Sequence, residues 1–295
     1  MTGIVTFGDA LLSTGDLDPV YLAIQNAKLE PAVLHRLCLA YWCFYSLGTA
    51  AYIAHHGATP KRYWDLMMQA AVNEVFTKGT PTDLAGAEKP WPRGAERRHF
   101  RAANAVGPMS YLREHYKDAS AAVYSMTGVD SGSRLRFAHV AKAVESHPGF
   151  GPWMSFKIAD MAERVLGVSV DFSDCALDMY KDPTQGAAIG WLEQGPPITV
   201  YSEEPWKAPI TGEQIKATAD YYVKLFNKRH KVGSVPGLKR PLNIQEIETI
   251  FCKYKSHLKG HYPLGKDTRE VGHGLEGWGP LADKLRLGLP QPQLV

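Results

Sequence analysis

Two groups of basic side chains have the types and spacing of an anion-binding site. The first group lies in an arginine-rich stretch and consists of Arg93, Arg97, Arg98, His99 and Arg101. The second lies in a later segment rich in turn-forming residues and consists of Lys255, His257, Lys259, His261, Lys266 and Arg269. Guanidinium groups make forked hydrogen bonds to phosphate oxygens, and lysine and histidine add positive charge. Each group could bind a phosphate-bearing ligand, and a solvated surface face is the alternative.

Two acids could supply a general base. Asp171 and Asp174 follow a helical pattern after a short loop. A positioned carboxylate can accept a proton from a reacting group. Capping of the next turn or helix is the alternative for either residue.

A glycine-rich hairpin lies just upstream of these acids. The residues His-Pro-Gly-Phe-Gly at 147–151 separate two helical patterns, and Pro152 suits the first turn of the second helix. Gly149 and Gly151 permit close backbone approach, and their amides with the helix N-terminus can bind a DNA phosphate. Trp153 is placed at the hairpin, where its ring could stack on a base.

Positive charge is concentrated near the C-terminus. Residues 224–269 hold 11 Lys/Arg and three acids, a local net charge of +8, whereas the whole chain carries only +3. This asymmetry indicates a polyanionic partner. Lys253, Lys255 and Lys259 are predicted on the outer face of one helix, in contact with the DNA backbone. The spacing of His257 and His261 also permits a metal pair, but no acid lies between them, so we expect no metal.

The segment 147–174 resembles the helix-hairpin-helix signature of the base-excision DNA glycosylases, with its helix, PGxG hairpin, helix, short loop and Asp. In that family the hairpin grips the DNA backbone, and the Asp lies at the sugar and base of a flipped nucleotide. The resemblance places that Asp at Asp171, or at Asp174 if the loop is shifted. The glycosylase/lyase branch has a lysine where this chain has Trp153, so lyase chemistry is not expected.

Four further stretches resemble a narrower family, the phage amino acid:DNA transferases that hypermodify thymine. They are the helix with Tyr41-Trp42, the segment WPRGAERRHFRA at 91–102, the hairpin, and KSHLKGHYPLGKDT at 255–268. The resemblance implies that the substrate is double-stranded DNA carrying 5-hydroxymethyluracil whose hydroxyl is pyrophosphorylated. An amino acid or a polyamine then displaces pyrophosphate, either by direct substitution or by elimination through a methide-like base. Enclosed substitution would require flipping of the nucleotide.

The implied enzyme needs no cofactor, and the chain has no GxxxxGK[ST] motif for ATP. Two other functions stay open. A DNA glycosylase for a modified base would release free base, and a non-catalytic DNA-binding protein would turn over nothing.

The fold class that follows is mainly all-α, with a helical fold like that of the helix-hairpin-helix DNA glycosylases. We expect a glycosylase-like domain over 1–210, with the helix-hairpin-helix at about 134–174. A basic helical extension over 211–295 is expected to pack on it. Thr211 with Gln214, and Asn243 with Glu246, have the spacing of capping boxes that start helices.

The remaining elements are predicted from helical spacing and from Pro/Gly content. Asp18-Pro19 opens a first helix, and the charge-free stretch 37–54 is a buried core helix rather than a membrane span. Helices are expected over 96–104, 108–116 and 133–146, loops over 77–95 and from 181 to 209, and one strand over 198–201.

The cysteines give no sign of a metal or iron–sulfur site. Cys38, Cys43, Cys175 and Cys252 stand singly, without zinc or four-cysteine cluster spacing. Such cysteines suit a reducing compartment, and the N-terminus lacks the basic region of a signal peptide. We therefore expect a cytoplasmic protein, in the host cell if the chain is viral, with no membrane partner.

Overall fold

The computed structural model describes residues 3–72, 91–128, 132, 134–177, 180–194 and 204–291. The described residues are mostly helical, which confirms the mainly α class. The α-helices are α1 (Ile4–Thr14), α2 (Pro19–Ala27), α3 (Pro31–Phe44), α4 (Leu47–His56), α5 (Pro60–Val72), α6 (Ala103–His115), α7 (Ala119–Thr127), α8 (Phe137–Glu145), α9 (Pro152–Arg164), α10 (Lys181–Gln194), α11 (Gly212–Arg229), α12 (Ile244–Leu258), α13 (Lys266–Leu275) and α14 (Pro280–Leu287).

The strands and short helices are few. Strands β1 (Leu135–Arg136) and β2 (Val170–Asp171) form a two-stranded sheet, and 3₁₀ turns lie at Ala95–Arg97 and Pro205–Lys207. The strand predicted over 198–201 and most of the loop predicted over 77–95 lie outside the described residues.

The chain forms two compact units. The first comprises Met1–Pro19, Asp171–Thr268 and Pro290–Val295, and the second comprises Val20–Val170 and Arg269–Leu289. The boundary predicted at residue 210 falls inside the first unit.

The core of the first unit is formed by apolar faces of α1, α10, α11 and α12. Helix α1 has no predicted counterpart, so the helix at Pro19 is the second and not the first. Ile4, Phe7 and Leu11 are buried on one face of α1, and Glu193 Oε2 accepts a hydrogen bond from the Ile4 amide at 2.9 Å. This distant carboxylate satisfies an N-terminal amide that has no partner within the helix.

Helix α10 corrects the prediction of an irregular stretch after residue 181. The two glycines inside this helix both serve close helix packing. A Cβ at Gly186 would collide with the Phe251 carbonyl of α12, and one at Gly190 would lie 2.9 Å from the Tyr222 ring of α11. Close approach to α11 and α12 therefore offsets the low helix propensity of glycine.

Both predicted capping boxes are confirmed. The Thr211 side chain accepts from the Gln214 amide while Gln214 Oε1 accepts from the Thr211 amide. Asn243 and Glu246 form the same reciprocal arrangement at the start of α12.

The single helix predicted over 37–54 is wrong. Tyr45 has a φ of 51°, which ends α3, and the Ser46 side chain caps α4 through the Thr49 amide. Burial of this region is confirmed, because Leu37 to Phe44 are all buried. Among the residues described here, no helix has the length and apolar character needed to cross a bilayer.

The helix predicted over 96–104 is also wrong. Only Ala95–Arg97 forms a 3₁₀ turn, and the next α-helix starts at Ala103. Ala102 precedes it with a φ of 46°, a conformation that breaks helical continuity.

Candidate functional site

The predicted hairpin joins two helices of the second unit. Helices α8 and α9 flank Ser146–Gly151, as predicted. Gly149 has a φ of 81°, and a Cβ there would lie 2.7 Å from Phe100 and 2.9 Å from Pro108. Both the backbone conformation and the packing therefore require glycine at this position.

Gly151 differs from Gly149. It is exposed, its φ is −111°, and a Cβ built on it would meet nothing within 4 Å. Neither conformation nor packing requires glycine here. The open space lies directly before the first turn of α9, where backbone amides can bind an anion.

His147 fixes the start of the hairpin. Its Nδ1–H donates to the Ala143 carbonyl at 2.8 Å, and its Nε2 accepts from the Tyr116 hydroxyl at 2.6 Å. Burial lowers the pKa of His147 below 6.5, which favours the neutral ring that this pattern needs. This role was not predictable, because a histidine before Pro-Gly carries no signal for its distant partner.

Arg97 is buried and holds the hairpin from inside. Its Nε donates to the Cys43 carbonyl at 3.0 Å, and its Nη1 donates to the Gly149 carbonyl at 2.8 Å. The guanidinium carbon lies 3.8 Å from the Phe100 ring centroid, and burial lowers the pKa of Arg97 to about 10. The helix predicted over 96–104 would have kept Arg97 near Arg98 and Arg101, but the segment forms a 3₁₀ turn and Arg97 points inward.

Arg98, His99 and Arg101 form a basic loop next to Arg97, in which Arg98 and His99 are exposed and Arg101 is partly buried. Arg98 Nε donates to His99 Nε2 at 3.2 Å, and Arg101 Nε donates to the Arg98 carbonyl. Phe100 lies between them and packs on Phe150 of the hairpin, with ring centroids 6.3 Å apart. The structure therefore places this basic loop beside the hairpin.

Arg93, a member of the first predicted basic group, is turned inward and supports the same loop. It is buried, and its Nε donates to the Phe100 carbonyl at 2.7 Å. Its Nη1 donates to the Trp91 carbonyl, and Nη2 to the Ala70 carbonyl. The spacing of arginines in the sequence could not separate this buried residue from the exposed ones.

Trp153 continues a row of aromatic rings at the start of α9. Its ring centroid lies 5.1 Å from that of Tyr45, which in turn stacks on Tyr41 at 4.7 Å. Trp153 and Tyr45 are only half-buried, so part of their rings remains available for stacking.

The two candidate acids lie in the first unit. Asp171 is in β2, and its Oδ1 accepts from the Ser173 amide at 3.0 Å, a local turn contact. Asp174 is exposed in the following turn. Asp171 thus makes a contact of the capping kind, which was the alternative to a role as general base. A catalytic role for either acid stays a prediction.

The lysines of α12 do not form the expected exposed stripe. Lys253 Nζ donates to the carbonyls of Asp16 and Leu17 and lies 2.7 Å from the Asp267 carboxylate. Lys255 is buried and pairs with Asp182, while Lys259 lies 4.7 Å from the Trp206 ring centroid. A DNA contact through Lys253 or Lys255 would require these pairs to open.

The segment after α12 brings two predicted site residues together. Lys266 Nζ donates to the backbone carbonyl of exposed His261 at 2.9 Å. His257, the other member of the possible metal pair, instead contacts the Tyr262 carbonyl through Nδ1 at 2.8 Å. Arg269 is exposed in α13 and belongs to the second unit.

Comparison with known proteins adds three matches. The amino acid:DNA transferase family model matches residues 11–262. A glycinyltransferase of Pseudomonas phage PaMx11 is 40% identical over 278 residues, covering 93% of this chain and 90% of the relative. A putrescinyltransferase of Delftia phage PhiW-14 is 26% identical over 290 residues, covering 97% and 82% respectively. The chain belongs to the amino acid:DNA transferase family.

Proposed function

We propose that this protein replaces the pyrophosphate of a 5-pyrophosphorylmethyl-deoxyuridine in DNA with an amine. The amine nitrogen forms a bond to the methylene carbon of the base, and the carbon–oxygen bond to pyrophosphate breaks. The electron pair of that bond leaves on the pyrophosphate oxygen, and the amine loses one proton. Family membership and the relatives named for glycine and putrescine support this reaction.

The observation that carries the proposal is the basic loop held beside the hairpin. Arg98, His99 and Arg101 lie next to a turn whose Gly151 leaves open space at a helix N-terminus. In the proposed complex, the amides of the hairpin and of the first turn of α9 bind a backbone phosphate. The neighbouring guanidinium groups then face a second, more highly charged phosphate group.

The other residues take the following roles in the proposal. Trp153 stacks on the target base or its neighbour, since every base presents a flat face to an aromatic ring. Asp171 or Asp174 accepts the proton of the attacking amine. His261, Lys266 and Arg269 form the second candidate group for stabilising the departing pyrophosphate.

The test is mass spectrometry of nucleosides from pyrophosphorylated DNA incubated with the full chain and one amine at a time. Glycine, putrescine and glutamate form the panel, and DNA with unmodified hydroxymethyluracil is the control. A nucleoside carrying the amine, formed from the pyrophosphorylated DNA alone, supports the proposal. Free base with abasic sites would instead indicate a glycosylase, and DNA binding without product would indicate a binding protein.

A further inference from the structure

A buried carboxylate in the first unit binds the segment that carries Lys266. Asp16 follows α1 and is only 1% exposed. Its Oδ2 accepts from the Tyr262 hydroxyl at 2.9 Å and from the Gly265 amide at 2.8 Å. Its Oδ1 accepts from the Thr268 amide at 3.0 Å and from the Thr268 hydroxyl at 2.7 Å. The donors lie on both sides of Lys266, the first residue of α13. This one side chain therefore fixes, at three positions, the turn before α13 and the first residues of that helix, together called the 262–268 loop.

Lys253 holds the same region from a second direction. Its Nζ donates to the backbone carbonyls of Asp16 and Leu17 at 2.6 and 2.7 Å. It also pairs with Asp267 of the loop at 2.7 Å and lies 4.9 Å from the Tyr262 ring centroid. Burial raises the pKa of Tyr262, so its hydroxyl keeps the proton that it donates to Asp16.

Four hydrogen bonds to one carboxylate leave it little freedom to turn, and each donor is fixed in return. The backbone from Gly265 to Thr268 therefore has a set position. Lys266 lies between these two anchors and is partly exposed, and its Nζ bonds the His261 carbonyl at 2.9 Å. A lysine has many rotamers, so an anchored backbone reduces the entropy lost when its ammonium group binds an anion.

We propose that Asp16 is a positioning residue that sets the 262–268 loop so that Lys266 and His261 meet the departing pyrophosphate. This inference rests on the proposed function, which gives Lys266 and His261 that role. Asp16 itself touches neither DNA nor amine, and it acts through the loop.

The test compares variants that lose hydrogen bonds between Asp16 and the 262–268 loop with a variant of a different buried carboxylate. In Asp16→Asn an NH₂ group replaces one of the two carboxylate oxygens. In one orientation it faces the Gly265 amide and in the other the Thr268 amide, and neither backbone N–H can accept a hydrogen bond. Thr268→Val removes one of the four hydrogen bonds. Glu246→Gln is the matched control, because Glu246 is equally buried in the same unit but binds Asn243 and Arg240 instead of the loop.

Two quantities are measured on the full chain: the affinity for inorganic pyrophosphate by calorimetry, and hydrogen exchange at the Gly265 and Thr268 amides. We expect Asp16→Asn to speed exchange at both amides and to weaken pyrophosphate binding about tenfold, as loss of one well-placed charged contact would. Thr268→Val should give a smaller change in the same direction. If Asp16→Asn fails to fold, the comparison of Thr268→Val with the unaltered chain provides the test. Glu246→Gln should leave both quantities close to those of the unaltered chain.

Lys266→Ala separates the two ways in which the idea can fail. If Lys266→Ala loses pyrophosphate affinity while Asp16→Asn and Thr268→Val keep it, Asp16 is not a positioning residue. If Lys266→Ala keeps full affinity, the loop does not bind pyrophosphate, and the role given to Lys266 under the proposed function falls together with this inference. An equal loss of affinity in Glu246→Gln would show that general destabilisation explains the effect, and it would also overturn the inference.

Discussion

Arg97 and Arg98 are neighbours in the chain and have opposite environments. Arg97 is buried between two carbonyl groups and an aromatic ring, whereas Arg98 is exposed. A helix would have kept Arg97 and Arg101 on one face, but the 3₁₀ turn ends at Arg97. Residue type alone therefore could not separate a structural arginine from a candidate phosphate ligand.

The two arginines of the basic loop give the first prediction. Replacing both Arg98 and Arg101 by alanine should lower kcat for amine transfer by about 10²-fold or more, because stabilisation of the leaving group is lost. Steady-state kinetics on pyrophosphorylated DNA measures this. Arg113→Ala is the matched control, since Arg113 is also exposed in the second unit and pairs with Asp65. A double variant with the kcat of the control would remove these arginines from the site.

The two acids give the second prediction. Asp171→Asn or Asp174→Asn should reduce kcat by roughly 10²–10⁴-fold, the usual contribution of a general base, while DNA binding persists. Single-turnover rates and DNA affinity are measured for each variant. If both variants transfer the amine at nearly the full rate, the assignment carried over from the glycosylases is wrong.

At the scale of the elements, the hairpin offers a matched pair of glycines. Gly149→Ala should lower the free energy of unfolding by more than about 1 kcal/mol, because alanine is strained at positive φ and crowds Phe100 and Pro108. Gly151→Ala should cost only about 0.5 kcal/mol, as an N-cap change, yet it should weaken DNA binding by filling the open space. Urea unfolding and DNA titration measure the two effects. Unchanged DNA affinity in Gly151→Ala would place the phosphate elsewhere.

His147 makes the hairpin sensitive to pH. Burial depresses its pKa in the folded chain, so the unfolded chain binds more protons below about pH 6.5. The contribution of His147 to stability is therefore complete above about pH 6.5 and is lost as pH falls toward the depressed pKa. Hydrogen exchange at the hairpin amides, corrected for intrinsic rates, should show weaker protection at pH 5 than at pH 7.5. His147→Gln should remove this difference, and a difference that persists would assign the effect to another group.

Elements with local signals were predictable and elements decided by packing were not. Both capping boxes could be read from the sequence, because each depends on two residues three positions apart. The break at Tyr45 depends on a tyrosine at positive φ, for which no local signal exists. Helix α10 contains Gly186 and Gly190, whose helical state depends on close contact with α11 and α12. In the same way, the sequence of 91–102 predicted a basic segment but not which of its arginines are buried.

At the scale of the whole molecule, the net charge of a sequence segment does not give the net charge of the surface that it forms, because its basic residues can pair with acids from other segments. The basic segment 224–269 carries a local net charge of +8, yet two of its charges pair with acids from outside that range. Lys255 pairs with Asp182, and Arg229 pairs with Asp9. Part of the excess charge therefore stabilises the first unit, and the basic loop of the second unit becomes the stronger candidate for contact with DNA phosphates.

The central claim is that an amine replaces pyrophosphate on a base that stays attached to DNA. Its most direct test follows ¹⁵N-labelled glycine and released pyrophosphate in one reaction on pyrophosphorylated DNA. We predict one ¹⁵N incorporated into a thymidine-derived nucleoside for each pyrophosphate released, with no abasic sites. Pyrophosphate release without ¹⁵N in the nucleoside, or ¹⁵N-free product with abasic sites, would contradict the account.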